Sequence, residues 1–145
     1  MNAWVRPLVL SCLIVLGATG CTGEIRRYVF SDVRHIAEVD DVVGNEIVLQ
    51  IRPGESDVSG QWDLYEGFYP VRTTLKGTLV SGRLNMNGSD SELRPKLDAR
   101  FSEDRLVGTL KWRVGSSEQS KRIRLRRVED RWEDLRRQPD ARPRQ

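Results

Sequence analysis

Apolar and polar residues alternate along most of this chain, in one short run after another. Ile47, Leu49 and Ile51 alternate with Val48, Gln50 and Arg52 until Pro53-Gly54 ends the run. Trp62 and Leu64 alternate with Gln61, Asp63 and Tyr65. Val71, Thr73 and Leu75 alternate with Arg72, Thr74 and Lys76, and Leu79 follows Gly77. Gly82, Leu84 and Met86 form the next run, then Leu97, Ala99 and Phe101, then Leu106 to Val114, and finally Ile123 and Leu125 among arginines. A period of two, repeated with turn residues between, predicts antiparallel strands with one dry face. The loops expected between them include Gly67 to Pro70, Asn87 to Glu92, Ser102 to Asp104 and Gly115 to Ser120. Leu75-Lys76-Gly77-Thr78-Leu79 and Leu106-Val107-Gly108-Thr109-Leu110 echo one another. A glycine inside a strand permits close approach and sharp coiling, which bends a sheet towards closure. The expected fold is all-β, a small antiparallel up-and-down barrel or a strongly curled sheet, with a short C-terminal helix.

That helix comes from a change of period. Val128, Trp132 and Leu135 lie at i, i+4 and i+7, one face of a helix over 128–138. Glu133 and Arg137 form an i,i+4 pair in the favourable order. Pro139 ends the element, and 139–145 reads as a tail. The stretch Tyr28 to Asp41 fits either period; its β-branched and aromatic residues favour strand and irregular structure.

The N-terminus has a different character. Arg6 precedes Leu8 to Leu16, apolar apart from Ser11, and the small residues Gly17-Ala18-Thr19-Gly20 follow. This is the anatomy of a secretory signal, too short to span a bilayer, which takes about 20 residues. Ala18-Thr19-Gly20-Cys21 resembles the lipobox of bacterial lipoproteins, with Ala18 where leucine is commonest. The resemblance implies a diacylglycerol thioether on Cys21, cleavage before it, and acylation of the new amine by a fatty acid such as palmitate. It further implies a place in the bacterial cell envelope. Thr22 follows the cysteine, where an Asp would favour the inner membrane of enteric bacteria, so the outer membrane facing the periplasm is expected. The chain then divides into a signal peptide (1–20), a lipidated tether (21–27), a β-domain (28–127), the helix and the tail.

Of the 145 residues about 125 remain after such cleavage, enough for one domain. Cys12 leaves with the signal and Cys21 is consumed by lipid, so no internal disulfide forms. Residues 121–145 carry ten Lys/Arg against five Asp/Glu, and 22–120 carry thirteen against sixteen. A basic end can lie against an anionic surface, or merely keep the protein soluble. Nucleic acid is not an expected partner of an exported, lipid-anchored chain.

Candidate chemistry is sparse. His35 is the lone histidine, and no Gly-x-Ser-x-Gly elbow accompanies it. Carboxylate pairs such as Asp40-Asp41 or Asp63 with Glu66 are ordinary on so charged a surface. Asn85, Asn87, Asp90 and Glu92 depart from the spacing of a calcium loop, and zinc ligands are missing. No metal, cofactor or enzymatic activity is expected. Gly60-Gln61-Trp62 resembles the Gly-x-Trp of lipocalins, where the Trp plugs one barrel end beneath a late-strand Arg; Arg122, Arg124 or Arg126 is the implied partner. Against the ligand chamber this implies, small barrels usually fill with side chains.

The remaining candidates are binding surfaces. Tyr65, Phe68 and Tyr69, with Pro70, either anchor a partner or fold back over the sheet end, and the area that aromatics bury favours the second. The basic strand Lys121 to Arg127 offers Arg122, Arg124 and Arg126. The leading expectation is a non-enzymatic envelope lipoprotein, held to the membrane by its N-terminal lipid, whose β-domain binds an envelope protein or an anionic surface. The alternatives are a calycin-like binder of a small apolar ligand, with Trp62, Leu84, Phe101 and Trp112 around its cavity, and an inhibitor of a hydrolase that inserts the Gly115–Ser120 loop.

Overall fold

A computed structural model describes residues 23–89 and 92–128. Its strands are β1 (Arg26–Ser31), β2 (Arg34–Ile36), β3 (Asp41–Ile51), β4 (Asp57–Glu66), β5 (Val71–Val80), β6 (Arg83–Gly88), β7 (Lys96–Phe101), β8 (Arg105–Val114) and β9 (Ser117–Arg127). Each strand from β3 to β9 pairs antiparallel with the next. β1 pairs antiparallel with both β3 and β9 and so closes the sheet. The result is an eight-stranded antiparallel barrel. The three-residue β2 continues the line of β1 along the edge of β3, opposite Asp41 to Val43. The closing β1–β9 seam is short, with Phe30 opposite Arg127 and Ser31 opposite Arg126.

The alternation read from the sequence is the inside–outside division of this wall. Phe30, Ile47, Leu49, Trp62, Leu75, Leu84, Leu106 and Leu110 are fully buried inside, and Met86, Leu97, Ile123 and Leu125 almost so. The intervening positions carry charge to the outside. A transmembrane barrel has the reverse arrangement, an apolar belt outside and a polar lumen. Register partners followed once round the wall return to β3 displaced by about ten residues, the stagger that lets eight tilted strands close.

The echoed glycines serve that closure. A Cβ on Gly77 would strike the backbone of Asn85 and Met86, and one on Gly108 the backbone of Asp98 and Ala99. Neighbouring strands therefore approach more closely there than any side chain would allow. The axis is filled by rings. Tyr28 and Phe30 stack at 6.4 Å, and Phe101 meets them edge-on at 5.1 and 5.9 Å. Trp62 and Trp112 lie 5.6 Å apart. The side chains expected round a ligand cavity are thus packed into one core with their neighbours.

Several boundaries differ from the sequence reading. β1 begins at Arg26, so Arg26 and Arg27 belong to the wall. Asn87 and Gly88 complete β6. Ser117 to Ser120 are strand, not loop, which leaves Gly115-Ser116 as a two-residue hairpin turn. Polar side chains on both faces hide this part of β9, and its backbone pairing with Lys111 to Val114 of β8 forms it nonetheless. An inhibitory loop at Gly115–Ser120 is therefore absent. The described residues contain no helix, and most of the helix expected over 128–138 lies outside them. Val128 itself is not helical and donates its N–H to the Val29 carbonyl at 2.9 Å.

Candidate functional site at the distal rim

The two ends of the barrel differ in what they carry. One receives the N-terminal segment, with Gly23 against Pro53, and bears the β3–β4, β5–β6 and β7–β8 turns. We call it proximal. The distal end bears the β2–β3, β4–β5, β6–β7 and β8–β9 connections. Val39, Phe68, Tyr69, Val71 and Val114, all exposed, lie at or beside those distal connections.

The β4–β5 connection is the centre of this rim. Its base is fixed, because Gly67 donates its N–H to the Val42 carbonyl at 2.9 Å. Its tip is not covered: Phe68 is 58% exposed and Tyr69 92%. The expectation that these rings fold back over the sheet end is thus corrected. Just inside, Trp62 and Trp112 already pack against one another at that end of the core, 5.6 Å apart, without either ring of the loop.

Trp62 is held there by polar contacts. Its indole N–H donates to Asn45 Oδ1 at 3.1 Å, both groups being buried. The Asn45 backbone N–H donates to Asp32 Oδ1 at 2.6 Å, and Lys121 Nζ lies 3.5 Å from the other Asp32 oxygen. Above this set lies an open groove of about 590 Å³, with Leu64 and Trp112 as apolar lining and Asp32, Arg34 and Lys121 as charged lips. Thr73 Oγ1, buried directly opposite Trp62 on β5, has no hydrogen-bond partner among the described residues.

Tyr65 does not join Phe68 and Tyr69. It sits on the outer side of β4 and is only 7% exposed. Burial raises its phenol above the ordinary tyrosine value, and the nearby carboxylates of Glu46 and Asp63 push it further. Asp63 accepts a two-pronged bond from Arg72, at 3.0 and 2.8 Å, and another from Gln61 at 3.0 Å. The hydrogen bond to Asp63 raises the Arg72 guanidinium above its usual value. Asp63 and Glu66 fall on opposite faces of β4, so they do not oppose one another across a cleft. His35 pairs with Asp40 at 2.8 Å on the exposed β2–β3 turn.

Arg122, Arg124 and Arg126 are exposed on the outer face of β9, since Ile123 and Leu125 take the inward positions. None of them can cap Trp62 in the manner of a lipocalin; Asn45 and Trp112 hold that place. The odd-numbered cations do turn inward, at opposite ends. Lys121 reaches the distal groove, and Arg127 lies over the Tyr28 ring at 4.9 Å. β4–β5 and β8–β9 are on opposite sides of the barrel, so the rim aromatics and the basic strand are two separate surfaces. Asn45, Asp32 and Lys121 had no motif to reveal them, because they converge only through the β1–β3 and β1–β9 pairings. Against protein-family models, curated proteins and solved structures, the chain finds no match.

Proposed function

We propose that this chain is a non-enzymatic lipoprotein of the bacterial envelope, anchored through Cys21, whose barrel binds another macromolecule by its distal rim. One observation carries the reading: the rings of Phe68 and Tyr69 stand exposed on a rigid base, at the end opposite the incoming chain. Large amphipathic rings on a pinned loop are good anchors, because little conformational freedom is lost when a partner covers them. The filled core supports this reading over a calycin-like carrier, which requires an internal chamber. The short segment between Cys21 and β1 supports an anchored domain whose distal end stays free.

Crosslinking in intact cells tests it. The full chain should give a discrete protein adduct that the Phe68→Asp/Tyr69→Asp variant loses and that Lys76→Glu, on the outer wall of β5, retains. Equal adducts from all three, or none from the wild type, would reject the rim as the binding surface. The mass of the wild-type chain extracted from membranes reports separately on cleavage before Cys21 and on its acyl groups.

A further inference from the structure

The geometry points to a second surface: the outer wall formed by β6 to β9 is a docking face for the phosphate-bearing surface of an anionic lipid bilayer. Arg83, Arg100, Arg105, Arg122, Arg124 and Arg126 all lie on this wall, exposed, and in its proximal half. The register sets Arg83 directly opposite Arg100, and Arg105 directly opposite Arg126. Like charges in such pairs destabilise a sheet. Counter-charge is scarce. Asp98 pairs with Arg83 at 3.0 Å and Asp104 with Arg105 at 3.2 Å. Among the described residues Arg100, Arg122, Arg124 and Arg126 have no ion pair.

The arrangement fits a plane of phosphates better than a linear polymer. One row crosses the wall from Arg83 through Arg100 and Val107 to Arg124, and a second holds Arg105 and Arg126. A shallow groove of about 880 Å³ runs along the first row, on the side away from the second, with the exposed Val80 and Val107 beside Arg83, Arg100, Arg122 and Asp98. Guanidinium forks take phosphate oxygens in pairs, and apolar side chains among them suit the boundary between headgroups and acyl chains. The proximal end itself exposes Glu24, Glu55, Asp57 and Glu103, so the barrel lies on its arginine wall rather than standing on its end.

Position relative to the anchor agrees, and here alone the proposal rests on the lipoprotein reading. Cys21 precedes β1 by five residues, a reach of about 17 Å when extended. Gly23 lies against Pro53 at the β3–β4 turn, so the tether starts from the proximal end, the half of the barrel that carries the arginines. The β4–β5 loop, on the opposite side, then faces away from the bilayer. The lipid on Cys21 then holds the barrel at the bilayer, and the basic wall sets which side of the barrel faces it.

Vesicle cosedimentation of the exported Cys21→Ser chain tests the face without its lipid. Phosphatidylcholine vesicles that contain phosphatidylglycerol should bind the protein, and high salt should release it. Each arginine lost should weaken binding about fivefold, so Arg100→Gln/Arg124→Gln should lose about 25-fold and the Glu/Glu variant more. Lys76→Glu, on another wall, should bind as before. Thermal melts of the Gln variants check that they fold. Equal binding to neutral vesicles, binding unchanged in the folded double variants, or binding to soluble polyphosphate without binding to vesicles would each overturn the proposal. None of these outcomes depends on whether Cys21 is acylated.

Discussion

The distal rim and the arginine wall differ in how they relate to the rule that builds the barrel. The wall obeys strict alternation: on β9, Ile123 and Leu125 enter the core and Arg122, Arg124 and Arg126 leave it. What singles it out is the sign of the outward charges, arranged against their own mutual repulsion. The rim breaks alternation altogether. Phe68 and Tyr69 are apolar rings on a loop whose neighbouring core packs without them. A surface that costs stability in either way carries more functional information than one that is merely polar.

Substitutions can break or sharpen this contrast. Trp62→Ala should have the largest effect, because the ring supports the rim from below and belongs to the core. A loss of about 3–5 kcal/mol is expected in urea unfolding, with both surfaces affected together. Gly108→Ala follows, since the new methyl group must displace β7 backbone. A loss of about 2–3 kcal/mol is expected, along with altered exchange of the Asp98 and Ala99 amides.

Tyr65→Phe separates the buried tyrosine from the exposed pair through pH. The folded phenol has a raised pKa. Above pH of about 10 the unfolded chain releases this proton and the folded chain keeps it, so wild-type stability falls as pH rises. The slope approaches about 1.4 kcal/mol per pH unit up to the folded pKa. Comparative alkaline melts should show that the Phe variant lacks this component.

Phe68→Ser/Tyr69→Ser should leave stability within about 0.5 kcal/mol of wild type, as exposed positions do. A large loss would mean that these rings hold the fold, and would move them from the binding surface to the core. Smallest and opposite in sign, Arg100→Gln should raise stability by a few tenths of a kcal/mol or about that, through relief of the Arg83 repulsion. Melts in rising salt should shrink the gain. An unchanged or reduced stability at low salt would remove one argument for the wall.

Much of the barrel was legible because its information is local. Ile47-Val48-Leu49-Gln50-Ile51 names a strand without help from any other residue, and the glycines of β5 and β8 announced a tightly coiled sheet. The last stretch of β9 was not legible, because Ser117 to Lys121 carry no apolar alternation and are strand only by pairing with β8. The fate of the rim rings depended on how Trp62 and Trp112 pack, a question of three-dimensional volume. The arginine wall was half visible. Parity on β9 set Arg122, Arg124 and Arg126 together, whereas Arg83, Arg100 and Arg105 join them only through register. The lipocalin-like partner failed for the same parity reason, since all three candidate arginines occupy outward positions.

The central claim is that one rigid barrel presents two independent surfaces, an aromatic rim for a macromolecule and a basic wall for the bilayer. Photocrosslinking in intact cells tests it most directly, with a photoreactive side chain placed in the full chain at position 69 or at position 124. The account predicts a discrete protein adduct from position 69 and lipid adducts from position 124. Protein adducts of the same mass from both positions, or lipid adducts from position 69, would contradict it.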